Sequence, residues 1–229
     1  MTNPPLRLNK FLAARLGVSR READELISAG RITVDGHPAT LGARIDNNSK
    51  ICYNNKIVPF DTEYLYIAMH KPVGYVCSRR AQGAAPTLYE LLPKKYQHLK
   101  TVGRLDKDSS GLILLTNDGD FAFQMTHPKF RKTKIYEVEL DKSLAPLHQQ
   151  MITEYGIMLD DGLSQFKVIK DNSTDSKNRY LVFLTEGRNR QIRRTFLALG
   201  YKVTKLHRTH FGKYELGDLQ PGQYKDFVL

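Results

Sequence analysis

Cysteine is scarce in this chain of 229 residues. The two cysteines, Cys52 and Cys77, have neither the paired spacing of a zinc site nor that of a redox motif. Both lie in apolar, strand-like sequence, where a free cysteine is usually a small core residue. We therefore expect no metal site, and reduced thiols of this kind favour a cytoplasmic location.

Long apolar runs are also missing. No stretch approaches the roughly 18 consecutive apolar residues of a membrane-spanning helix. The N-terminus is polar and contains Pro4 and Pro5, unlike the apolar segment of a signal peptide. The sequence thus predicts neither a membrane span nor a secretory signal.

Acidic residues are few relative to basic ones. The chain has 35 Lys and Arg against 24 Asp and Glu, a formal net charge of +11. An excess of this size indicates a polyanionic partner, and nucleic acid fits it better than a membrane surface.

A polar loop dense in charge leads into an apolar strand near the middle of the chain. Residues 103–112 read GRLDKDSSGL, and residues 111–116 have the length and β character of a buried strand. Asp106 would lie on a short loop between Arg104 and Lys107. Nearby cations favour the charged form of a carboxylate, so Asp106 is a candidate nucleophile, general base or metal ligand. The residues alone are equally compatible with an aspartate that forms a salt bridge on a surface loop.

This loop resembles the signature loop of the pseudouridine synthases that modify ribosomal RNA. The resemblance implies that Asp106 is the catalytic residue that all members share. It also implies that Arg104 helps to hold open the place of the target nucleotide in the duplex. The threonine usual in the pattern corresponds to Ser109, or to Ser110 in a looser register, and either residue keeps a hydroxyl group.

The first 57 residues predict a compact unit of two helices and short strands. Apolar residues at helical spacing indicate a helix over residues 8–16, and Ser19 with Glu22 matches a capping box at the start of a second. Arg20 and Arg21 then occupy a first helical turn, where the helix dipole disfavours cations. Docked phosphates would explain this placement. The alternative is a solvated basic face.

This unit resembles an S4 domain, the small RNA-binding module of ribosomal protein S4. The segments RLNKFLA, SRREA and GRITVDG carry the resemblance. The candidate RNA-binding residues are its cations, namely Arg7, Lys10, Arg20, Arg21 and Arg31.

Two further short motifs resemble the same synthase family. In KPVG at residues 71–74, proline and glycine require a defined turn, which we interpret as mainly structural, with Lys71 as a candidate phosphate contact. In KIYEV at residues 134–138, the resemblance implies that Tyr136 stacks on the target base, and Lys134 is a candidate substrate contact. Strand alternation alone would make Tyr136 an ordinary strand tyrosine.

Four arginines occur within seven positions after an apolar strand: Arg188, Arg190, Arg193 and Arg194. They cannot all be buried, and the guanidinium fork suits bidentate pairing with carboxylate or phosphate. The segment resembles the last signature of the family, in which an arginine pairs with the catalytic aspartate. By register this is Arg193, while Arg188 and Arg190 are candidate substrate contacts.

Together these resemblances imply an α+β protein of two domains. An S4 RNA-binding domain with a short linker would occupy residues 1–60. A pseudouridine synthase domain would follow over residues 61–229, with a mainly antiparallel mixed sheet flanked by helices and loops. We predict helices near residues 120–127 and 144–155 and another over residues 191–199.

The implied function is isomerisation of a specific uridine in 23S or 16S ribosomal RNA, on a flipped-out nucleotide, by a cytoplasmic monomer. The reaction involves no redox change, so no cofactor is expected, and the partner would be ribosomal RNA or a pre-ribosomal particle. One alternative is a non-catalytic S4-containing factor for ribosome assembly. Another is a hydrolase using Asp106 and Asp108, which lack a third acidic or histidine partner.

Overall fold

The computed structural model describes residues 5–60, 63–79, 83–173 and 175–229. Residues 61 and 62, the first two of the predicted synthase domain, lie outside these ranges. The chain forms two compact units. The first comprises Met1–Leu65, Lys94–Lys100 and Thr116–Gly119; the second comprises Tyr66–Pro93, Thr101–Leu115 and Asp120–Leu229.

The described part of the first unit contains two α-helices and six short strands. In chain order they are β1 (Leu6–Arg7), α1 (Leu8–Arg15), α2 (Arg20–Ser28), β2 (Ile32–Val34), β3 (His37–Pro38), β4 (Arg44–Ile45), β5 (Ile51–Tyr53) and β6 (Lys56–Ile57). Strands β1 and β4 pair with each other, and the other four form a sheet in the order β3-β2-β5-β6.

The two helices form where the sequence signals predict them. Leu8, Phe11 and Leu12 lie on one face of α1 and are buried. The predicted capping box of α2 is present, since Glu22 N donates to Ser19 Oγ at 3.1 Å and Ser19 N donates to Glu22 Oε2 at 2.6 Å. These buried faces join Ile32, Ile51 and neighbouring apolar residues in one core.

A later segment of the chain packs into this unit. Lys94–Lys100 contributes the ammonium group of Lys100, which donates to Val18 O at 2.7 Å in the connection between α1 and α2. Arg15 at the end of α1 likewise donates to Phe60 O. Both cations thus bind backbone carbonyls that lie outside the helices.

The second unit is built on one large sheet. The remaining strands are β7 (Tyr66–Lys71), β8 (Lys100–Val102), β9 (Ser110–Thr116), β10 (Lys134–Leu140), β11 (Ile157–Leu159), β12 (Gly162–Ser164), β13 (Lys167–Lys170), β14 (Arg179–Leu184), β15 (Val203–Phe211), β16 (Tyr214–Glu215) and β17 (Tyr224–Asp226). The helices are α3 (Gly119–Thr126), α4 (Pro146–Gln150), which continues as a π-helical turn over Met151–Tyr155, and α5 (Gln191–Ala198).

The sheet runs in the order β13-β14-β10-β15-β9-β7-β17, with β16 paired to β15 and β8 to β9. Strands β13, β14, β10 and β15 pair antiparallel in succession, as do β15 with β16 and β7 with β17, whereas β9 and β15 run parallel. Every residue of β9 is buried, as its apolar run predicts. The predicted α+β fold with a mainly antiparallel mixed sheet is therefore confirmed.

A glycine allows the parallel pair to form. Gly111 on β9 lies opposite Arg208 on β15 and has φ +107°, a conformation open to glycine. A Cβ at this position would lie 2.2 Å from Arg208 O. The close approach joins the strand that follows the Asp106 loop to the strand that carries Arg208.

Among the described residues, no helix combines the length and the apolar character needed to span a lipid bilayer.

Candidate active site

The loop that carries Asp106 is held by backbone contacts on both sides. Gly74 N donates to Lys107 O at 2.7 Å, which joins the KPVG turn to the loop. Ser109 N donates to Asp106 O at 3.1 Å, and Leu105 is buried. Asp106 itself stays accessible, with 28% of its side chain exposed. The loop therefore presents a carboxylate on a rigid support.

Lys71 has a different role from the one predicted. Its side chain is fully buried, and its ammonium group donates to Ser109 O at 2.7 Å and Pro72 O at 2.9 Å. Burial lowers the pKa of this lysine. Because its donors are directed at backbone carbonyls inside the protein, Lys71 supports the Asp106 loop, and the expected phosphate contact is wrong.

Two arginines of α5 and its N-terminal flank bind the acidic loop. Arg190 makes a bidentate pair with Asp108, at 3.0 Å to Oδ1 and 2.9 Å to Oδ2, and lies 3.7 Å from Asp106 Oδ2. Arg193 Nη2 donates to Asp108 O at 2.8 Å, and its Nε is 3.3 Å from Asp108 Oδ2. We call Asp106, Asp108, Arg190 and Arg193 the loop cluster.

This geometry corrects the predicted pairing of Arg193 with Asp106. The ion pair to Asp106 comes from Arg190, and the carboxylate partner of Arg193 is Asp108. Arg190 is the N-cap of α5 and has a left-handed backbone conformation (φ +47°). This local conformation accounts for the position of its side chain beside Asp106. The hydrogen bond from Arg190 lowers the pKa of Asp108. Its engagement by two arginines also argues against the hydrolase alternative.

A cavity of about 350 Å³ opens beside Asp106. A volume near this size is typical of small-molecule sites. The predicted site residues that line it are Arg104, Asp106, Lys134, Tyr136, Arg188 and Arg190; its remaining wall includes Arg208 and Phe211. The structure thus brings together the carboxylate and the tyrosine that the sequence proposed as partners, although their positions are thirty residues apart in the chain.

Tyr136 reaches the cavity because of strand alternation on β10. Tyr136, Val138 and Leu140 share the buried face of that strand. Tyr136 is 7% exposed, and its hydroxyl lies 3.5 Å from Arg208 Nη1. A planar ring at the wall of a cavity offers a stacking surface for a base.

Comparisons with known proteins identify the family of this chain. A family model described as RNA pseudouridylate synthase matches residues 65–198, and an S4 domain model matches residues 6–51. The chain belongs to the RNA pseudouridylate synthase family. It is therefore an isomerase with an N-terminal S4 domain, as the sequence motifs imply.

Full-length relatives have the same organisation. The chain is 36% identical to the ribosomal small subunit pseudouridine synthase A of Pasteurella multocida (strain Pm70), with 96% of this chain and 95% of the relative covered. It is 34% identical to the ribosomal large subunit pseudouridine synthase B of Bacillus subtilis (strain 168), at 97% and 92% coverage. A crystal structure of a pseudouridylate synthase matches with a TM-score of 0.69 and 29% identity, covering 97% of this chain and 96% of that one.

Arg188 of the synthase forms hydrogen bonds to the turn between β11 and β12. Its guanidinium donates to Asp161 O at 3.0 Å, Asp161 Oδ1 at 2.8 Å, Gly162 O at 3.0 Å and Leu163 O at 2.9 Å. These bonds clamp the β11–β12 turn. Arg188 lines the cavity with both Nη atoms bonded to the protein, while its Nε is buried with no hydrogen-bond partner, so its substrate contact stays a prediction.

Arg208 was not predicted as a site residue of the synthase. Its sequence context, between two histidines on a strand, favours RNA contact or packing. It is 1% exposed, its Nε donates to Leu112 O at 2.8 Å, and it lines the cavity beside Tyr136. The signal in the sequence is its period-two spacing from Leu206, which places a cation on the buried face of β15.

Lys134 also lines the cavity. Its ammonium group donates to Glu186 O at 3.1 Å and lies 5.1 Å from the centre of the Phe211 ring. Burial, with the nearby charge of Arg208, lowers the pKa of Lys134 to about 8. We call Lys134 and Arg208 the floor pair.

The predicted RNA-binding cations of the S4 domain are at its surface. Arg7, Arg20 and Arg21 are exposed, and Lys10 is half-buried. Arg31 is exposed, donates to Asn54 Oδ1 at 3.1 Å and lies over the ring of Tyr53. Within the described ranges, no group of His, Cys, Asp and Glu is arranged to hold a metal ion.

Proposed function

We propose that this synthase converts a uridine of ribosomal RNA to pseudouridine, with Asp106 acting on a nucleotide flipped into the cavity. The proposal rests on one observation above all: Asp106 and Tyr136 line the same cavity. A base inside a stacked helix cannot reach such a site, so the target nucleotide must leave the stack.

Each residue then has a distinct task. The carboxylate of Asp106 meets the sugar-base junction, where it attacks C1′ or C6 or removes the C2′ proton. Tyr136 stacks on the base, and exposed Arg104 at the cavity entrance fills the place that the base leaves. Arg190, at 3.7 Å, keeps the Asp106 carboxylate oriented.

Ribosomal RNA is proposed as the substrate because the relatives are ribosomal subunit pseudouridine synthases. One modifies the small subunit and another the large subunit, at 36% and 34% identity. The target therefore lies in 16S or 23S RNA, and the S4 domain contributes phosphate contacts through Arg7, Arg20, Arg21 and Arg31. These contacts give position with little sequence information.

A non-catalytic assembly factor is the competing function. It requires no convergence of reactive groups, and Asp106 and Tyr136 do converge. The test is to incubate purified 16S and 23S RNA, and each subunit isolated from cells lacking this protein, with the full chain. Pseudouridine is then mapped at nucleotide resolution. One new site in one RNA is the expected result, whereas binding without any modification would favour the assembly factor.

A further inference from the structure

The floor pair consists of two cations that lie against the same aromatic ring. Arg208 on β15 lies opposite Tyr136 on β10 in the strand register. The ring of Phe211 lies against both cations, with its centre 5.1 Å from Lys134 Nζ and 4.9 Å from Arg208 Cζ. Both side chains line the cavity that holds Asp106.

Five other arginines have an acidic partner, which the floor pair lacks in the described part of the chain. Arg179, Arg188, Arg190, Arg193 and Arg194 each lie within 4 Å of a carboxylate. Among the described residues, no carboxylate lies within 4 Å of Lys134 or Arg208. Arg208 Nη2 is also buried with no hydrogen-bond partner in the structure.

Such an arrangement is unfavourable without a ligand. Burying a charge without a close counterion costs free energy, and Arg208, which is buried, and Lys134, which is half-buried, also repel each other. The lowered pKa of Lys134 expresses both effects. A site that keeps this charge at the wall of a cavity is suited to an anion that enters it or forms there.

We propose that Lys134 and Arg208 stabilise the negative charge that develops on uracil when its bond to the ribose breaks. This inference rests on the proposed function. The C1′–N1 bond breaks with its electron pair left on N1, so the departing base is a uracil anion with charge shared among N1, O2 and O4. C5 then attacks C1′ and forms the new C–C bond, and the C5 proton is transferred to N1.

The position of the floor pair favours the base over a phosphate. Arg208 is 1% exposed and lies beside the tyrosine on which the base is proposed to stack. The phosphates of the flipped nucleotide remain joined to the RNA chain at the entrance, where Arg104 and Arg190 are exposed. The floor pair thus meets the edge of the base, where the carbonyl oxygens are.

The test compares leaving groups. Fluorine at C5 withdraws electrons and so stabilises the uracil anion. Cleavage of a 5-fluorouridine target therefore depends less on stabilisation of this anion by the protein. Single-turnover loss of the N-linked nucleoside is measured, after complete digestion and chromatography, for RNA carrying uridine or 5-fluorouridine at the mapped site. Wild type, Lys134→Gln and Arg208→Lys are compared.

We expect Lys134→Gln to slow cleavage of uridine on the order of 10²-fold, as for loss of one oxyanion-stabilising donor. The loss for 5-fluorouridine is expected to be about tenfold smaller. Arg208→Lys keeps the charge but not the guanidinium geometry. It should likewise slow cleavage of uridine more than cleavage of 5-fluorouridine. Lys134→Arg should restore most of the uridine rate.

Lys167→Gln is the matched control, because Lys167 Nζ also lies over an aromatic ring, 5.8 Å from the centre of Phe183, on an edge strand outside the cavity. It should leave both rates unchanged. Equal losses for the two bases in the folded Lys134 and Arg208 variants would overturn the inference. If wild type modifies no ribosomal RNA, the proposed function fails instead. Thermal melting verifies that each variant is folded. If Lys134→Gln does not fold, the inference is tested by comparing the losses of rate on uridine and 5-fluorouridine in Arg208→Lys.

Discussion

The loop cluster and the floor pair both place cations at the candidate active site, but different groups surround these cations. In the loop cluster, Arg190 and Arg193 face the carboxylates of Asp106 and Asp108. In the floor pair, Lys134 and Arg208 face carbonyl oxygens and aromatic rings. Paired charges hold a loop in place before substrate arrives. The charges of buried Arg208 and half-buried Lys134 have no ion pair among the described residues, so they remain available to a ligand.

The largest expected effect comes from Asp106→Asn. The amide keeps the size of the side chain but removes the charge that the reaction requires. The single-turnover rate of pseudouridine formation should fall on the order of 10⁴-fold, the upper range for a positioned acid-base or nucleophilic group. RNA affinity, measured by filter binding, should stay within about threefold of wild type, because the phosphate contacts lie elsewhere. Substantial turnover by this variant would remove Asp106 from the mechanism.

Gly111→Ala tests how the floor pair is placed. The new Cβ would meet Arg208 O at 2.2 Å at a φ of +107°. Strain and overpacking together should lower the free energy of unfolding by about 3 kcal/mol or more, measured by urea denaturation. Gly200→Ala is the control, since that glycine has φ +79° but no atom within 4 Å of the added Cβ. It should cost about 1 kcal/mol. If both variants lost the same free energy of unfolding, the close contact between Gly111 and β15 would not be the cause of the loss.

Asp108→Asn tests the positioning role of the loop cluster. Without its charge, the bidentate pair that holds Arg190 weakens, and Arg190 is less well placed beside Asp106. We expect the turnover rate to fall on the order of 10-fold to 100-fold, less than for Asp106→Asn, because only orientation is lost. The exposed turn residue Asp160 supplies the control, Asp160→Asn. A loss as large as that of Asp106→Asn would assign Asp108 a direct chemical role.

The smallest expected effect is a pH dependence from the floor pair. Lys134, which faces Arg208 and Phe211 on β15 and Glu186 after β14, has a pKa of about 8. It is charged below that pH and neutral above it. The single-turnover rate should therefore fall by up to about tenfold between pH 7 and pH 9. Lys134→Arg should remove this decline on the same RNA, since arginine stays charged. An unchanged decline would assign it to another group.

Local signals were sufficient to predict several parts of the site. The apolar run of β9 and the adjoining glycines located the Asp106 loop, and alternation on β10 placed Tyr136 on the buried face. Ser19 and Glu22 predicted the start of α2, since both partners of a capping box lie within one helical turn.

Other parts depend on contacts that the sequence does not display. The ligands of Lys71 and Arg188 are backbone carbonyls at distant positions, and every residue type has a carbonyl. The choice of Arg190 over Arg193 as partner of Asp106 follows from the left-handed backbone at Arg190, which few sequence rules anticipate for arginine. Arg208 reaches the cavity through long-range strand pairing, and no local pattern predicts such pairing.

The parallel pairing of β9 with β15 has a consequence for biosynthesis. Ser110 and His207, hydrogen-bonded at 2.9 Å, are 97 positions apart in the chain. Closing so long a loop makes this contact one of high sequence separation, which forms slowly and after local structure. A nascent chain that already displays its S4 domain and Asp106 loop therefore still lacks most of the residues that line its cavity. The chain can meet RNA before it can modify it, and competence arrives only when the last fifth of the protein has left the ribosome that made it.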